Sequence, residues 1–426
     1  MLVFILDAAD GKLAQRTEDG IAAACAGCRF VRVAAGAAAT MNRVLTDYAE
    51  PFFATFTAGD AVQPEFFELV ARSLPSLGRK DAGIVALLAA RKPNPAEEPS
   101  APIVWRTEAV RSSGGFAEPD LLPFERYVLL EKKLRLDPFH TWKTVPADGF
   151  LPKPRRNLGW HKTAREWREL KPLLSGTNTS PLENERPLLS IVLCTYNNAD
   201  VLLWAVRSVR VQTFRDWELI VADDGSTDRT RRILDEHPLL MDSRVRVLRI
   251  ERNRGKARAL NSALSAARGQ WLMELDADDW LAPDCASAIA ARARDDDRAG
   301  AIYADCVEWR ELSGKRLVYA GIRSIAEPLD AWRLLEQPFP LAPRAFRIAL
   351  LRRLGGWLVT DPFDGRLYED LQMLARVMQE RPLLRIPQAL YNRRIRLSSV
   401  TQRNKANYPA WKAWMRETLL RERPDD

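Results

Sequence analysis

Apolar runs and polar loops alternate through the second half of the chain in the pattern of an α/β fold. The run Leu188–Leu193 is rich in branched residues and predicts a strand, and the polar Thr195–Asn198 after it predicts a loop. An amphipathic segment around Trp204 then predicts a helix, and Glu218–Ala222 predicts a second strand. Strands and helices that alternate at this length indicate a mostly parallel sheet with helices on both faces.

The predicted strands lead into polar loops. Glu218–Ala222 is followed by the acidic turn Asp223–Asp228, and a further helix and strand come next. Because parallel strands present their carboxyl ends at one edge of the sheet, these loops are expected to lie together. Ligands bind α/β sheets at that edge.

Three carboxylates crowd the end of the most informative strand. The run Trp271–Leu275 is followed by Asp276, Asp278 and Asp279. Like charges this close repel one another unless a cation is present, and hard oxygen ligands suit Mg²⁺ or Mn²⁺. One interpretation is a metal that bridges carboxylate and diphosphate, and the other is a solvated acidic turn with helix-capping aspartates. On this segment alone both interpretations stay open.

Five ordered motifs resemble those of family 2 glycosyltransferases of the GT-A fold. They are Leu189–Asn197, Val221–Asp228, Asn253–Asn261, the cluster at Asp276, and Gly355–Trp357 followed by Tyr368–Asp370. The resemblance covers roughly residues 188 to 400. Cys194 stands where the family commonly has proline, and we expect this departure to affect the local backbone more than the chemistry.

The resemblance implies a role for each matching position. The residues expected at the nucleotide are Thr195, Tyr196, Asn197, Asp223, Asp224, Lys256 and Asp276. Asp276 and Asp278 form the Asp-x-Asp signature, in which Asp278 is the expected direct ligand of Mn²⁺ or Mg²⁺. Asp370, with Glu369 beside it, is the expected general base, although an acidic pair at a helix N-terminus would also fit these two residues. The positions expected on the acceptor side are Gly355, Gly356 and Trp357.

The implied reaction is the inverting transfer of a sugar from a nucleoside diphosphate sugar to a hydroxyl of a glycan or lipid-linked glycan, with UDP-sugars favoured as donors. Processive members of the family carry a Gln-x-x-Arg-Trp element after the base, and its absence here favours one transfer per encounter. One alternative is an inactive glycan- or nucleotide-binding scaffold, which the retention of Asp276, Asp278 and Asp370 argues against. The other is a sugar nucleotidyltransferase, which would need a Gly-rich phosphate loop after the first strand.

The first 140 residues contain a second, degenerate set of the same motifs, aligned over its first part at a constant offset of 219 residues. The matching pairs are Gly36–Asn42 with Gly255–Asn261, Pro64 with Pro283, Gly114–Phe116 with Gly355–Trp357, and Phe124–Arg126 with Tyr368–Asp370. Thr57, Gly59 and Arg126 stand at the chemically decisive positions, and the copy starts too late to include a counterpart of the strand at Ser190. We therefore expect a truncated, inactive glycosyltransferase-like domain, the alternative being a coincidental α/β segment.

Between about residues 141 and 187 the hydrophobic periodicity fades, which predicts a connector between domains. Trp160 and Trp167 are interleaved there with basic residues. This pattern fits an anchor on an anionic membrane, or a solvated connector whose tryptophans pack on a neighbouring domain. The predicted division is a degenerate domain at 1–140, the connector at 141–187, the glycosyltransferase domain at 188–400 and a helical tail at 401–426.

Composition is that of a globular, multidomain protein, with 46% hydrophobic and 28% charged residues. The net charge of +8 favours anionic partners, and the resemblance selects a nucleotide-sugar donor and a glycan or lipid-linked acceptor, with no nucleic acid among them. The five cysteines are too scattered for a disulfide framework, and the three histidines form no metal-spaced cluster. No stretch reads as a signal peptide or a transmembrane span, so we expect a cytoplasmic protein with peripheral contact on the inner face of the membrane, and leave its oligomeric state open.

Overall fold

The computed structural model describes most of the chain. The described residues are 1–6, 8, 10–33, 38–87, 102–116, 130, 134, 139–146, 148–151, 170, 173, 186–311, 317–325, 330–336, 338–339, 341–396 and 404–422. They form two units, the first within Met1–Leu170 and the second within Lys171–Glu311 and Leu317–Asp426.

The first unit is built on a mixed sheet. Its strands are β1 (Leu2–Leu6), β2 (Arg29–Arg32), β3 (Phe52–Thr57), β4 (Ala61–Val62), β5 (Asp81–Leu87), β6 (Ile103–Arg106), β7 (Thr141–Pro146) and β8 (Phe150–Leu151), and its helices are α1 (Gly11–Ala24), α2 (Ala38–Thr46), α3 (Pro64–Ser73) and α4 (Thr107–Ser112). Over the described residues the sheet order is β2-β1-β3-β6-β5-β7, and β4 pairs with β8 beside it. Because β7 and β8 belong to this unit, it extends past the boundary at residue 140 that the periodicity indicates.

Strand β1 shows why both faces of this sheet are covered. Its side chains alternate between two cores, with Val3 and Ile5 in one and Leu2, Phe4 and Leu6 in the other. A strand that is buried on both faces needs apolar side chains at successive positions, which this run supplies. The apolar run at Leu2–Leu6 is therefore a strand buried on both faces.

The second unit carries the larger sheet. Its strands are β9 (Leu189–Thr195), β10 (Trp217–Asp223), β11 (Val245–Arg249), β12 (Trp271–Asp276), β13 (Trp280–Leu281), β14 (Ala301–Glu311), β15 (Leu317–Arg323), β16 (Arg344–Arg347) and β17 (Leu383–Ile395). Its helices are α5 (Leu202–Arg210), α6 (Thr230–Glu236), α7 (Lys256–Ala266), α8 (Cys285–Asp295), α9 (Ala331–Glu336), α10 (Ile348–Arg353), α11 (Glu369–Glu380) and α12 (Tyr408–Arg421). Over the described residues the order is β11-β10-β9-β12-β16-β14-β17-β13, with β15 on β14.

The predicted α/β fold class is confirmed. Strands β11, β10, β9 and β12 run parallel, as the alternation of strands and helices predicts. Beyond β12 the sheet is mixed, because β16 enters antiparallel between β12 and β14. The carboxyl ends of β9, β10 and β12 therefore lie at one edge, and the polar loops that follow these strands meet there.

A buried acid ties three parts of this sheet together. Glu218 of β10 is fully buried and accepts hydrogen bonds from the Ser190 hydroxyl at 2.7 Å and from the Arg268 backbone N–H at 2.7 Å. Arg246 and Arg268 supply the positive charge at 2.6 and 3.0 Å. A buried carboxylate is stable only when it is paired and hydrogen-bonded, and Glu218 meets both conditions.

The two sheets share a pattern of pairing. Strand β1 runs parallel to both β2 and β3, as β9 does to both β10 and β12. β6 lies antiparallel between β3 and β5, as β16 does between β12 and β14, and β7 runs parallel to β5 as β17 does to β14. The expectation that the first unit lacks a counterpart of the strand at Ser190 is therefore wrong, since β1 holds that place. Sequence comparison misses it because β1 and β9 share only an apolar pattern.

No helix among the described residues combines the length and the apolar character that crossing a membrane requires.

Candidate functional site

Lys256 links the acidic end of β12 to the start of α11. Its ammonium lies 2.6 Å from Asp276 Oδ1 and 3.0 Å from Glu369 Oε1. Lys256 is the first residue of α7, Asp276 ends β12, and Glu369 opens α11. The structure thus brings together three of the residues that the sequence assigns to the nucleotide and the base.

Arg344 of β16 is a second cation beside Asp276. Its guanidinium lies 2.8 Å from Glu274 Oε2, 3.6 Å from Asp370 Oδ2 and 3.9 Å from Asp276 Oδ2. Arg344 and Glu274 are buried, and they are direct partners in the antiparallel register of β16 with β12. Asp276 therefore lies between two cations, Lys256 and Arg344.

The charges of this cluster shift one another's pKa values. Burial would raise the pKa of Asp276, but Lys256 and then Arg344 hold it below its usual value. Burial raises the pKa of Glu369. Lys256 offsets part of this rise, and the charge of Asp370 adds to it. Burial would lower the pKa of Lys256, yet the surrounding carboxylates, Asp276 foremost, raise it well above its ordinary value. The cluster therefore keeps an ionised Asp276 beside a protonated lysine.

The other two carboxylates of the strand end have separate partners. Asp278 forms an ion pair with Arg396, just after β17. Asp279 is buried and accepts a hydrogen bond from the Arg394 backbone N–H at 2.7 Å. Burial, followed by the charges of Asp278 and Asp276, raises the pKa of Asp279 well above its usual value. The repulsion expected from the sequence is thus present and only partly relieved by arginines.

The residues expected at the nucleoside form one loop system after β9 and β10. Asn197, with a left-handed φ of 54°, accepts the Thr227 N–H at 2.8 Å through its side chain. Asp223 accepts the Ser226 N–H at 3.0 Å, which closes the turn after β10. Thr195 is buried, and its carbonyl accepts the Asp224 N–H at 2.9 Å. The predicted loop therefore has a fixed shape.

Tyr196 and Asp224 occupy contrasting positions in this loop system. Tyr196 is 42% exposed, so its ring is accessible for stacking. Asp224 is buried, and its two carboxylate oxygens accept the backbone N–H groups of Arg254 at 2.9 Å and Gly255 at 2.8 Å. Asp224 thereby fixes the loop that leads into Lys256. The sequence alone did not indicate this second role.

The turn after Asp224 requires glycine. Gly225 has a φ of 75°, and a Cβ there would lie 2.6 Å from the backbone carbonyl carbon of Arg252. Only glycine tolerates both the left-handed conformation and the close approach. The acidic turn after β10 is thereby packed directly against the loop that precedes Lys256.

The helix that carries Glu369 and Asp370 starts from an unusual residue. Tyr368 adopts a left-handed φ of 59°, and its hydroxyl donates to the Asn404 carbonyl at 2.7 Å. Its ring packs against Trp411 of α12 with centroids 5.1 Å apart. The C-terminal helix thus supports the turn that aims the acidic pair, a contribution that its sequence did not indicate.

The motif Gly355–Trp357 forms a clamp with α7. Asn261 donates to the Trp357 carbonyl at 2.8 Å and accepts the Trp357 N–H at 2.8 Å. Gly356 has a φ of 76°, and a Cβ on it would meet Asn261 Oδ1 at 2.3 Å. The Trp357 side chain is buried in the core, so an acceptor-side role for this motif is restricted to the shape of its main chain.

The sequence analysis missed four residues of this site: Arg344, Glu274, Arg396 and Tyr391. The Tyr391 hydroxyl accepts the Asp276 N–H at 3.1 Å. A signal for the first two existed, because Glu274 lies inside an apolar strand and a buried acid requires a cation. The predictions for Gly36, Arg126, Trp160 and Trp167 fall outside the described residues.

Residues 190–350 match the family model described as Glycosyl transferase family 2. The match includes the loops at Thr195 and Asp224, Lys256 and the cluster at Asp276. It stops before Gly355 and before the acidic pair at the start of α11.

Two curated proteins are similar to part of this chain. The succinoglycan biosynthesis protein ExoO of Rhizobium meliloti (strain 1021) is 36% identical over 138 residues, which cover 32% of this chain and 38% of ExoO. The UDP-Glc:alpha-D-GlcNAc-diphosphoundecaprenol beta-1,3-glucosyltransferase WfgD of Escherichia coli is 40% identical over 97 residues, which cover 22% of this chain and 37% of WfgD. The chain spans less than two fifths of the length of either relative.

Among solved structures, the mannosyltransferase PcManGT from Pyrobaculum calidifontis, in complex with GDP-Man and Mn²⁺, is similar with a TM-score of 0.41 and 21% identity. The similarity covers 62% of this chain and 72% of that chain.

Proposed function

Residues 190–350 belong to glycosyl transferase family 2, as the motifs predict, and from this we propose that the chain transfers a sugar from a nucleoside diphosphate sugar to a hydroxyl group. The donor is a UDP-sugar, the acceptor is a glycan or lipid-linked glycan, and each encounter transfers one sugar with inversion at the anomeric carbon.

One observation carries this proposal. Lys256 bridges Asp276 and Glu369, and Arg344 lies within 4 Å of both Asp276 and Asp370. The acidic end of β12, on the donor side of the proposed site, is therefore connected by charge to the acidic pair at the start of α11. A transferase that moves a group between two substrates needs donor and acceptor chemistry at one such place.

The relatives support the finer parts of the proposal by their described activities. WfgD is named for a UDP-glucose donor and an acceptor linked to diphosphoundecaprenol, and ExoO for succinoglycan biosynthesis. A basic chain with net charge +8 is suited to anionic donors and to an anionic membrane surface. We therefore place the reaction at the inner face of the membrane, with peripheral contact of the chain.

The oxygen ligands at the end of β12 fit a Mn²⁺ or Mg²⁺ ion. Asp276 and Asp278 are partly exposed carboxylates, paired in this structure with Lys256 and Arg396. No cluster of three or more metal-ligating side chains occurs in the described part of the chain, so the remaining ligands would come from diphosphate and water. When bound, the ion supplies Lewis acidity to the leaving diphosphate.

In the proposed reaction Asp370 accepts the proton of the acceptor hydroxyl. The acceptor oxygen then bonds to the anomeric carbon while the bond from that carbon to the diphosphate oxygen breaks, and the electron pair leaves with the diphosphate. Lys256 offsets the charge that Asp276 and Glu369 concentrate beside it. In this proposal the exposed Tyr196 ring stacks on the base, and Asp224 holds the loop before Lys256 in place.

A screen of nucleotide sugars tests the proposal. A ligand at about 100 times its dissociation constant stabilises the fold by roughly 2.7 kcal/mol, a readily measured rise in melting temperature. We expect a UDP-sugar to give that rise only with Mn²⁺ or Mg²⁺ present, and then to release UDP when an acceptor is added. If every nucleotide sugar left the melting temperature unchanged with metal present, the transferase assignment would fail.

We further propose that the first unit is a degenerate copy of the second. In the first unit Asn42 donates to the Phe116 carbonyl at 3.0 Å and accepts the Phe116 N–H at 2.8 Å. Asn261 makes the same two bonds to Trp357. In both cases the asparagine lies on a helix and clamps the residue after a pair of left-handed glycines.

A second contact recurs in the same way. Arg111 of α4 donates to the Leu45 carbonyl at 2.6 Å, and Arg352 of α10 donates to the Leu264 carbonyl at 3.3 Å. In each unit the arginine thereby satisfies a carbonyl near the end of the helix that carries the clamping asparagine. Together with the shared strand pairings, these contacts favour duplication over a coincidental α/β segment.

The first unit has these strand pairings and contacts but lacks the charged side chains of the candidate site. The first-unit residues at the places of Glu274, Asp276, Asp278 and Arg344 are Thr55, Thr57, Gly59 and Ile103. Thr55 is paired with Ile103 in the register in which Glu274 is paired with Arg344. The copy thus lacks the groups that hold a diphosphate or a metal, and its role is to pack rather than to catalyse.

The stoichiometry of nucleotide binding tests this second proposal. Titration calorimetry of the full chain with UDP and Mn²⁺ should give one site per chain. The variant Thr57→Ala should keep the transfer rate within about twofold, as is usual for substitutions outside catalytic and core positions. Two equivalent sites, or loss of transfer in Thr57→Ala at an unchanged melting temperature, would contradict a silent copy.

A further inference from the structure

Arg344 is a buried cation that neither the motifs nor the family match singles out. It lies on β16, directly opposite Glu274, and is only 5% exposed. Nη2 donates to Glu274 Oε2 at 2.8 Å and Nη1 donates to the Leu341 carbonyl at 2.8 Å. These two bonds hold the guanidinium in one orientation, since a group anchored at both ends cannot swing toward a substrate.

The anchored guanidinium presents its remaining charge to two acids. Nη1 lies 3.6 Å from Asp370 Oδ2, and Nη2 lies 3.9 Å from Asp276 Oδ2. The other oxygen of Asp370 accepts the Leu371 N–H at 2.9 Å. Asp370 is thus hydrogen-bonded at its own helix N-terminus and forms an ion pair with Arg344 on its other oxygen.

Electrostatics favours a permanent charge at this place. Burial alone would lower the pKa of Arg344, but the carboxylates of Glu274, Asp370 and Asp276 raise it well above its ordinary value. Without the arginine, the Asp276 and Asp370 carboxylates would lose the cation that lies within 4 Å of both. Like charges in that arrangement repel, so at least one side chain would turn away.

We infer that Arg344 is a positioning residue of the transfer reaction, which holds the Asp370 carboxylate at a fixed place relative to Asp276. The inference rests on the proposed function, because it assigns Asp276 to the donor and Asp370 to the acceptor proton. Glu274 acts indirectly, because it holds the Arg344 guanidinium in place. Neither residue touches a substrate in this account, and both act through the placement of Asp370.

The first unit supplies the design of a variant that preserves the fold. Thr55 and Ile103 occupy there the register positions of Glu274 and Arg344, and they do so within an intact strand pair. The double substitution Glu274→Thr with Arg344→Ile therefore removes both charges at once and leaves no buried acid unpaired. Removing Arg344 alone would strand Glu274 without its counter-ion, which is strongly destabilising.

The experiment compares three forms of the full chain with the wild type, using the UDP-sugar and acceptor that the donor screen identifies. They are the double variant, Arg344→Lys, and the control Arg347→Lys. Arg347 lies on the same strand but stacks on Trp271 and donates to the Ala299 carbonyl, away from the acids. Melting temperature, UDP affinity, KM and kcat are measured for each.

We expect kcat to fall about 100-fold in the double variant and about tenfold in Arg344→Lys, with UDP affinity and donor KM within about threefold of wild type. Arg347→Lys should match the wild type. A kcat in the folded double variant equal to that of the control would overturn the inference, as would a fall in UDP affinity proportional to the fall in kcat. Failure of the proposed function itself looks different, since the wild type would then transfer no sugar.

Discussion

Replacing Asp370 by asparagine isolates the role of a base from the role of a structural acid. Asparagine has the size of aspartate, and its side-chain oxygen still accepts the Leu371 N–H that Asp370 accepts at 2.9 Å. The helix start at Glu369 therefore keeps its shape. What the variant loses is the capacity to take a proton and the charge that faces Arg344 at 3.6 Å.

The expected loss follows from these contacts. General-base assistance contributes roughly 10² to 10⁴ in rate, or about 2.7 to 5.4 kcal/mol of transition-state stabilisation. In the proposed site, donor binding involves Asp276, Lys256 and the loops after β9 and β10, and among the described contacts none of these groups donates a hydrogen bond to the Asp370 carboxylate. We therefore expect kcat to fall by roughly 10² to 10⁴ while the dissociation constant of UDP changes by less than about threefold.

The assay pairs continuous detection of UDP release with calorimetric titration of UDP. Asp364→Asn is the matched control, since Asp364 lies in the preceding loop, is 61% exposed and pairs with Arg258. The control should keep both rate and affinity. The reasoning is refuted if UDP affinity falls in Asp370→Asn by the same factor as kcat. Asp370 would then act as a helix cap that supports the whole site.

Three further predictions concern the metal, the fold and the clamp. Asp278→Asn should weaken Mn²⁺-dependent UDP binding at least tenfold (about 1.4 kcal/mol) without lowering the melting temperature, which calorimetry with and without chelator checks. Glu218→Gln should cost about 1.5–3 kcal/mol of unfolding free energy at pH 7 in urea titrations. Burial would raise the pKa of Glu218, but the Arg268 N–H, Ser190 and Arg246 together lower it below its ordinary value of 4.5. The ionised Glu218 therefore stabilises the fold above pH 4.5. The difference in unfolding free energy between the wild type and Glu218→Gln should narrow as the pH falls below 4.5. Asn261→Ala should cost about 2–4 kcal/mol, because the N–H and carbonyl of Trp357 lose their partners, and an unchanged melting curve would contradict the clamp.

The fold of the second unit was readable because its signals are local. The runs at β9, β10 and β12 are apolar and rich in branched residues, and each leads into a polar loop. Such patterns depend on neighbours in sequence, and they predicted the parallel half of the sheet correctly. The antiparallel entry of β16 was not predicted, because Arg344–Arg347 is a short strand whose two arginines hide its apolar character.

The candidate site was predicted in part for the same reason. Lys256, Asp276 and Glu369 were each found from a motif, and the Lys256 ammonium lies 2.6 Å from the Asp276 carboxylate and 3.0 Å from the Glu369 carboxylate. Arg344 belongs to no motif, and its importance arises from its contacts with Glu274, 70 residues away in the chain, and with Asp276 and Asp370. Long-range ion pairs of this kind leave no periodicity in the sequence.

The N-terminal unit illustrates a different limit. The alignment at a constant offset pairs the clamp residue Asn42 with Asn261, because an asparagine with a special backbone role is recognisable by its identity. β1 has no such residue, and its place in the sheet is revealed by its parallel pairing with β2 and β3.

Transfer of a labelled sugar by wild type and by Asp276→Asn tests the central claim most directly. Both Lys256 and Arg344 lie within 4 Å of the Asp276 carboxylate, and asparagine keeps the size of this side chain while removing its charge. With the donor that stabilises the chain and with Mn²⁺ present, the wild type should move the label to the acceptor, and the variant should do so at least 100-fold more slowly. Equal transfer by the two proteins, at equal melting temperatures, would show that the reaction takes place elsewhere in the chain.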